Sequence, residues 1–278
     1  MPIRSIHLAA MDVPGLGQGT WGMGEDRRHR DREVSSLRLG LDLGMTLIDT
    51  AEMYGDGGAE EVVGEALDGR RDECFLVSKV YPHNAGRRSA VEACERSLKR
   101  LRTDRMDLYL LHWRGGVPLA ETVETFERLK EQGKIRAWGV SNLDPDDMAE
   151  LMEVPGGDAC ATNQVLYNLT RRGIEWDLLP WCVERSIPVM AYSPIEQGRM
   201  PAKGALRTIA ERLGASMFQV ALAWVLRHEG VIAIPKASDP DHVKANRAAA
   251  DLVLGDEDMA ALDRAFPPPT GPRSLEML

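Results

Sequence analysis

Apolar positions along the chain fall into two alternating patterns. Short, nearly continuous apolar runs lie near residues 15–19, 47–49, 74–79, 106–112, 135–141, 160–164, 189–193 and 231–235. Longer stretches between them repeat their apolar residues with helical spacing. That alternation predicts βα units built around a parallel sheet. Eight such units fit a (β/α)8 barrel, which takes about 250 residues. The first run is the weakest, being Gly-rich and preceded by Pro14.

Local signals mark the helices. Ser89-Ala90-Val91-Glu92 and Ser216-Met217-Phe218-Gln219 both read as capping boxes, and Asp144-Pro145 places a capping side chain before a first-turn proline. After Ser89, the residues Val91, Cys94, Leu98 and Leu101 share one face. Residues 3–8 and 11–13 are expected to pair as a hairpin plugging one barrel end. Gly255-Asp256-Glu257-Asp258 is expected to start an extra C-terminal helix, with Pro267-Pro268-Pro269 ending the fold. No linker, low-complexity run or residue-level repeat interrupts residues 1–278, so a single barrel domain is expected.

Composition narrows the class. With 44% hydrophobic and 28% charged residues, the chain is neither disordered, collagen-like nor a membrane protein. Its 34 basic and 43 acidic residues leave a net charge of −9. Such a surface repels nucleic acid and anionic lipid, while a local basic pocket for an anionic cofactor remains open. No apolar run approaches the ~18 residues of a membrane span, and the N-terminus lacks a signal-peptide core. Cys74, Cys94, Cys160 and Cys182 show no Cys-x-x-Cys spacing. Four reduced, mostly buried thiols in a cytoplasmic, monomeric protein without a metal site are expected.

In a (β/α)8 barrel the active site lies at the C-terminal ends of the strands. Standing there are Asp49, Lys79, His112, Ser141-Asn142, Asn163-Gln164, Tyr192-Ser193 and Lys236. Packing alone would not put polar or ionisable groups at nearly every strand end. Gly17-Gln18-Gly19-Thr20-Trp21-Gly22 also matches the Gly-x-Gly-x-x-Gly dinucleotide fingerprint. That fingerprint must open a helix directly after a clean strand. Here Pro14 breaks the strand and a charged stretch, 25–33, delays the helix. The glycines read instead as a strand end and loop.

The ordered set Gly17-Gln18-Gly19-Thr20-Trp21, Ile48-Asp49-Thr50-Ala51-Glu52-Met53-Tyr54, Val77-Ser78-Lys79, Asp107-Leu108-Tyr109-Leu110-Leu111-His112-Trp113, Gly139-Val140-Ser141-Asn142, Asn163-Gln164, Ala191-Tyr192-Ser193-Pro194 and Ile234-Pro235-Lys236 resembles the aldo-keto reductases. The likeness spans residues 15 to about 246 and is nearest to bacterial methylglyoxal reductase-like members. It implies NADPH-dependent reduction of small aldehydes, ketones or dicarbonyls, with NADH also possible. It implies a catalytic tetrad of Asp49, Tyr54, Lys79 and His112, with Tyr54 as proton donor. A free tyrosine has a pKa near 10 and donates poorly at neutral pH. An ammonium ~4 Å away, at an effective dielectric of ~20, is worth about 4 kcal/mol. Lys79 is therefore expected to pull Tyr54 toward neutrality, against burial, with Asp49 keeping the lysine charged and a neutral His112 orienting the carbonyl.

The resemblance further implies cofactor contacts from Gly19, Thr20, Asp49, Ser141, Asn142, Gln164, Tyr192 and Ser193. At the adenosine end it implies Lys236, Ser238, His242 and Asn246. His242 and Ala237 stand where the family usually has arginine and serine. Histidine lacks arginine's bidentate fork, so weaker discrimination against NADH is expected. Trp21, Tyr81 and Trp113 are expected to line the pocket with Tyr54 and His112, and Arg114 to attract a substrate carboxylate or phosphate. The short tail after Pro269 is expected to leave that pocket open. Taken singly, Asp49 and Lys79 also read as an ordinary buried ion pair, and His112 as a core histidine. Two other functions fit parts of the pattern: a Schiff-base lyase using Lys79, and a nicotinamide-binding sensor without turnover.

Overall fold

The computed structural model describes residues 2–201 and 204–278. A hairpin opens the chain, β1 (Ser5–Leu8) pairing antiparallel with β2 (Met11–Pro14). Eight strands then form one parallel sheet in sequence order: β3 (Gln18–Gly19), β4 (Leu47–Asp49), β5 (Phe75–Val80), β6 (Met106–Leu111), β7 (Ile135–Ser141), β8 (Asn163–Leu166), β9 (Val189–Tyr192) and β10 (Val231–Ala233). The sheet closes on itself. Parallel bridges join Leu16 to Ala233 and Gly19 to Lys236, and Gly17 and Gly19 donate to the carbonyls of Ala233 and Pro235.

The helices on the outside are α1 (Arg30–Asp42), α2 (Gly58–Ala66), α3 (Ser89–Leu101), α4 (Leu119–Glu131), α5 (Pro145–Glu153), α6 (Leu178–Glu184), α7 (Gly204–Leu213), α8 (Met217–Leu226), α9 (Pro240–Ala249) and α10 (Asp256–Ala265). Each follows a strand, except that α7 and α8 both lie between β9 and β10, and α10 is the expected extra helix. Among the described residues, no single helix is long and apolar enough to cross a membrane.

Several local expectations meet the structure directly. Asp144 caps α5 by accepting from the Asp147 N–H, and Ser216 and Gln219 form both bonds of a capping box on α8. The Ser89 box does not form. Ala90 already donates to the Gly86 carbonyl, so Ser89 is inside the helical turn, and Arg88 takes the Glu92 carboxylate. The strand expected at 160–164 runs instead as β8, to Leu166. Apolar Val165 and Leu166 continue a ladder begun near Ala161, which donates to Trp138.

The two glycines of Gly17-Gln18-Gly19 have a packing reason. A Cβ on Gly17 would stand 2.7 Å from the Leu47 side chain, and one on Gly19 2.7 Å from the Ile234 carbonyl oxygen. They let β3 approach both neighbours at the seam of the barrel. The intervening Gln18 side chain turns outward and donates to the Leu37 and Met45 carbonyls.

The core divides according to the pleat. An outer shell packs helices against the outward strand residues Ile48, Leu76, Tyr109, Val165 and Ala191. An inner cluster holds Leu47, Phe75, Val77, Leu108, Leu110, Ala137, Met190, Ile232 and Ile234, together with Ile6, Leu8 and Val13 of the hairpin. The hairpin therefore stoppers the N-terminal end of the barrel. Successive strand side chains alternate faces. Asp49 is two residues beyond Leu47, Lys79 two beyond Val77, His112 two beyond Leu110 and Tyr192 two beyond Met190. Each is the next inward position after an apolar one, at the C-terminal mouth.

Candidate active site

Asp49, Lys79, Tyr54 and His112 meet at that mouth. Their exposures are 2%, 0%, 8% and 7%. Lys79 Nζ donates to Asp49 Oδ2 (2.8 Å), to the Thr50 carbonyl (2.8 Å) and to the Tyr54 hydroxyl oxygen (3.1 Å). Those three bonds use all three ammonium donors. The other Asp49 oxygen accepts from Gln164 Nε2 at 2.7 Å. Tyr54 reaches the group because the chain turns sharply after β4. Its N–H bonds the Ala51 carbonyl, and left-handed backbone at Gly55, Asp56 and Gly57 carries the chain away into α2.

The electrostatics follow from burial among few charges. Burial works against a charged Lys79, but Asp49 and Tyr54 outweigh it and raise its pKa. Burial also lifts Asp49 above the usual carboxylate range, opposed by Lys79 and Gln164. Tyr54 departs from expectation. Burial raises its hydroxyl, the pull of Lys79 is smaller, and the Asp49 charge adds to the rise. The phenol is therefore protonated at neutral pH, and Lys79 bonds its oxygen while leaving the O–H proton available. Burial and Lys79 together push His112 down to about 2, so its ring is neutral. His112 Nδ1 is buried without a hydrogen-bond partner. A lysine with a raised pKa and every donor bonded is a poor Schiff-base nucleophile.

Aromatic rings wall the mouth. The half-exposed Trp21 ring meets Tyr54 edge-on at 5.1 Å, and Tyr54 meets His112 at 5.8 Å. Trp113 lies 4.9 Å from His112 and 5.9 Å from Tyr81. Of the expected pocket residues, Arg114 behaves differently. Its guanidinium turns to α5, bonding Glu150 at 3.0 Å with Asp147 4.0 Å away. Two carboxylates of α5 lie against its charge, while its Nη1 is buried without a hydrogen-bond partner.

A second polar group adjoins the tetrad. Ser141 Oγ donates to the Gln164 carbonyl (2.8 Å), Asn142 Nδ2 to the His112 carbonyl (3.2 Å) and to Ser141 Oγ (3.1 Å), and Tyr192 OH to Asn142 Oδ1 (3.1 Å). Thr20 Oγ1 donates to the Asp49 carbonyl (2.9 Å). Asn142 and Ser193 have left-handed backbone, φ 56° and 47°, a strain that tends to gather at functional sites. Lys236 is exposed beside the seam, its Nζ 3.1 Å from Ser238 Oγ. His242 and Asn246 follow on α9, one helical turn apart.

Four features had no sequence signal. The Thr50 carbonyl under Lys79 is a backbone group. Buried Glu52 accepts from the Tyr81 N–H (2.8 Å) and Asn84 Nδ2 (3.0 Å), fixing the Tyr81 wall. Asn168 donates to the Ser193 carbonyl and to Glu196. The tail reaches the mouth, where the Leu278 backbone lies beside Tyr192. Cys74, Cys94, Cys160 and Cys182 are free and buried, and burial pushes each thiol up to about 12. Among the described residues, no group of three or more His, Cys, Asp or Glu could hold a metal ion.

Comparison with known proteins places this geometry in context. Residues 15–266 match the model of the aldo/keto reductase family. The chain is 56% identical over 273 residues to methylglyoxal reductase YeaE of Escherichia coli (strain K12), covering 96% of each chain. It is 34% identical to glyoxal reductase of Bacillus subtilis (strain 168), covering 91% of this chain and 89% of that one. A crystal structure of an aldo/keto reductase from Klebsiella pneumoniae, in complex with NADP and acetate, superposes with a TM-score of 0.97 at 53% identity. It covers 99% of this chain and 100% of that one.

Proposed function

The chain belongs to the aldo/keto reductase family of oxidoreductases, and from that premise we propose that it reduces small aldehydes, ketones and dicarbonyls such as methylglyoxal, with NADPH as reductant and Tyr54 as proton donor. The Lys79–Tyr54 contact of 3.1 Å carries the reading, made by a lysine that Asp49 holds charged. The name of the Escherichia coli relative and the NADP in the Klebsiella structure support it.

The residues at the mouth fit a nicotinamide dinucleotide. Ser141, Asn142 and Gln164 supply the hydroxyl and amide groups that suit a carboxamide. Tyr192 offers a half-buried aromatic face, and Gly19 and Thr20 line the seam beside Asp49. Toward the adenosine end, Lys236 offers a cation for a 2′-phosphate, with Ser238, His242 and Asn246 beside it. When bound, the cofactor supplies a hydride to the carbonyl carbon.

This chain's residues supply the rest. The carbonyl oxygen sits between Tyr54 OH and His112. With Nδ1 buried and lacking an acceptor, the neutral ring is best served by a proton on Nε2, free to bond that oxygen. As negative charge develops on the oxygen, Tyr54 gives up its proton. Lys79, already bonded to the phenol oxygen, stabilises the phenolate left behind, while Asp49 and the Thr50 carbonyl keep the ammonium charged and aimed. Trp21, Tyr81 and Trp113 exclude water, which strengthens each of these interactions. The four unpaired, buried thiols support a cytoplasmic setting.

Steady-state NADPH oxidation with methylglyoxal and simple aldehydes tests the reading. Turnover that saturates in both substrates is expected. Tight NADPH binding with no turnover on any carbonyl would contradict it and favour a non-catalytic sensor.

A further inference from the structure

Arg171, in the turn after β8, joins two segments far apart in the chain. Its Nε and Nη2 donate to the Glu196 carboxylate, at 3.3 and 3.1 Å, and its Nη1 donates to Glu276 at 2.6 Å. Glu196 belongs to the loop after β9 and is itself buried. It also accepts from Asn168 Nδ2 at 2.8 Å, and the same amide bonds the Ser193 carbonyl at 2.9 Å. Burial alone would raise the Glu196 carboxyl, but the bonds from Arg171 and Asn168 bring it below its ordinary value.

The loop they hold is strained. Ser193, Glu196 and Gln197 all have φ near +50°, in the left-handed region. Such backbone persists only where its surroundings over-determine it, and the Glu196 carboxylate is the anchor that does so. The other partner of Arg171 leads into the tail. Arg273, Leu275 and Glu276 border a small cavity with Pro145, Leu166 and Gly173, and Leu275 packs on the core. From there the chain runs to Leu278 at Tyr192.

We propose that Arg171 is a positioning residue that couples the tail, residues 273–278, to the loop at 193–198, so that the tail's ion pair slows release of the dinucleotide. The proposal rests on the NADPH-dependent reading above, in which Tyr192 and Ser193 contact the cofactor. Its physical basis is shared ordering. Arginine presents a rigid planar fork. With Glu276 holding one arm, the side chain has already lost its rotamer freedom when it binds Glu196. Releasing the tail returns that freedom and loosens the anchor of a loop that would otherwise relax.

The test is stopped-flow NADPH dissociation at low salt for wild type, Glu276→Gln, Arg171→Met and the double variant, with Glu276→Asp as rescue. Glu276 is partly exposed, so Glu276→Gln should speed release only about threefold. Arg171→Met, which also unties buried Glu196, should speed it about tenfold or more. The double variant should release no faster than Arg171→Met, and Glu276→Asp should release nearly as slowly as wild type. Dissociation unchanged by Glu276→Gln would overturn the coupling. So would an equal effect of that substitution in the Arg171→Met background, because the two groups would then act independently. A wild-type protein that binds neither NADPH nor NADH would instead overturn the functional reading, and the coupling with it.

Discussion

The two ends of the barrel interior are built from the same inward-facing columns of residues, yet they obey different demands. At the N-terminal end, Leu47, Phe75, Val77, Leu108 and Leu110 close against Ile6, Leu8 and Val13 of the hairpin, with no charge among them. One step further along the same strands the columns end in Asp49, Lys79 and His112. Burial at the first end is favourable in itself, at about 25 cal/mol per Å² of apolar surface. At the second it is costly, since an unpaired buried charge loses its hydration. The mouth persists because each charge there is answered: Lys79 by three acceptors, Asp49 by Lys79 and Gln164. Packing accounts for the lower end. Only chemistry accounts for the upper one.

The sharpest way to break this comparison is to uncouple the ion pair. Asp49→Asn leaves the Lys79 ammonium buried against one fewer charge, and should cost about 3–5 kcal/mol of stability. Adding Lys79→Met should recover much of that loss while abolishing activity. Urea unfolding of the single and double variants checks both. If the double variant were as unstable as the single one, the pair would be a stability element and the contrast between the ends would fail.

At the lower end the expectation reverses. Leu110→Ala removes a fully buried inner side chain and should cost about 2–5 kcal/mol. The folded fraction should keep kcat/KM within about threefold, because no tetrad contact changes. Equilibrium unfolding set beside initial rates would reveal a misplaced boundary if the rates collapsed instead.

The pH dependence separates the ends more gently. His112 is held near 2 and His228, behind the barrel wall, near 4, against an ordinary 6.5. Below pH 6.5 the unfolded chain therefore binds protons that the folded chain does not, so acidification favours unfolding. His112 contributes a slope of up to about 1.4 kcal/mol per pH unit between roughly 6.5 and 2. The His228 contribution ends near pH 4. Stability measured from pH 7 to 5 should fall, and His112→Asn should flatten the curve. The kcat/KM profile should show no inflection from His112 near 6.5. A flat stability curve in wild type would contradict the assigned neutral ring.

The smallest expected effect lies outside the barrel. Lys236 is exposed, its Nζ 3.1 Å from Ser238 Oγ. Lys236→Ala should raise the KM for NADPH about tenfold and that for NADH little, as expected for one charge-assisted contact to a phosphate. His242→Arg should widen the preference for NADPH. Equal shifts for both cofactors would remove Lys236 from the 2′-phosphate.

The barrel was legible in the sequence because its alternation of short apolar runs and amphipathic stretches is the same physical pattern that closes it. Asp49, Lys79 and His112 were readable as strand-end groups, while the loop residue Tyr54 needed the family likeness. What escaped were contacts that no side-chain pattern encodes. The Thr50 carbonyl under Lys79 is backbone. Arg171 and Glu276 are ordinary surface residue types until the fold brings them together. The pairing of Arg114 with Glu150 escaped too, because charge alone does not say which acid will lie beside it. The sign of the Tyr54 shift also needed the structure, since the depth of burial decides whether Lys79 or desolvation prevails.

The most direct test of the account is single-turnover carbonyl reduction by wild type and Tyr54→Phe, with NADPH binding measured on both. The phenol is the only group lost, and Lys79, Asp49 and His112 remain. The account predicts unchanged NADPH affinity and a rate lower by about 10²–10⁴-fold, the range of general acid catalysis. A Tyr54→Phe protein that reduces methylglyoxal at nearly the wild-type rate would contradict it.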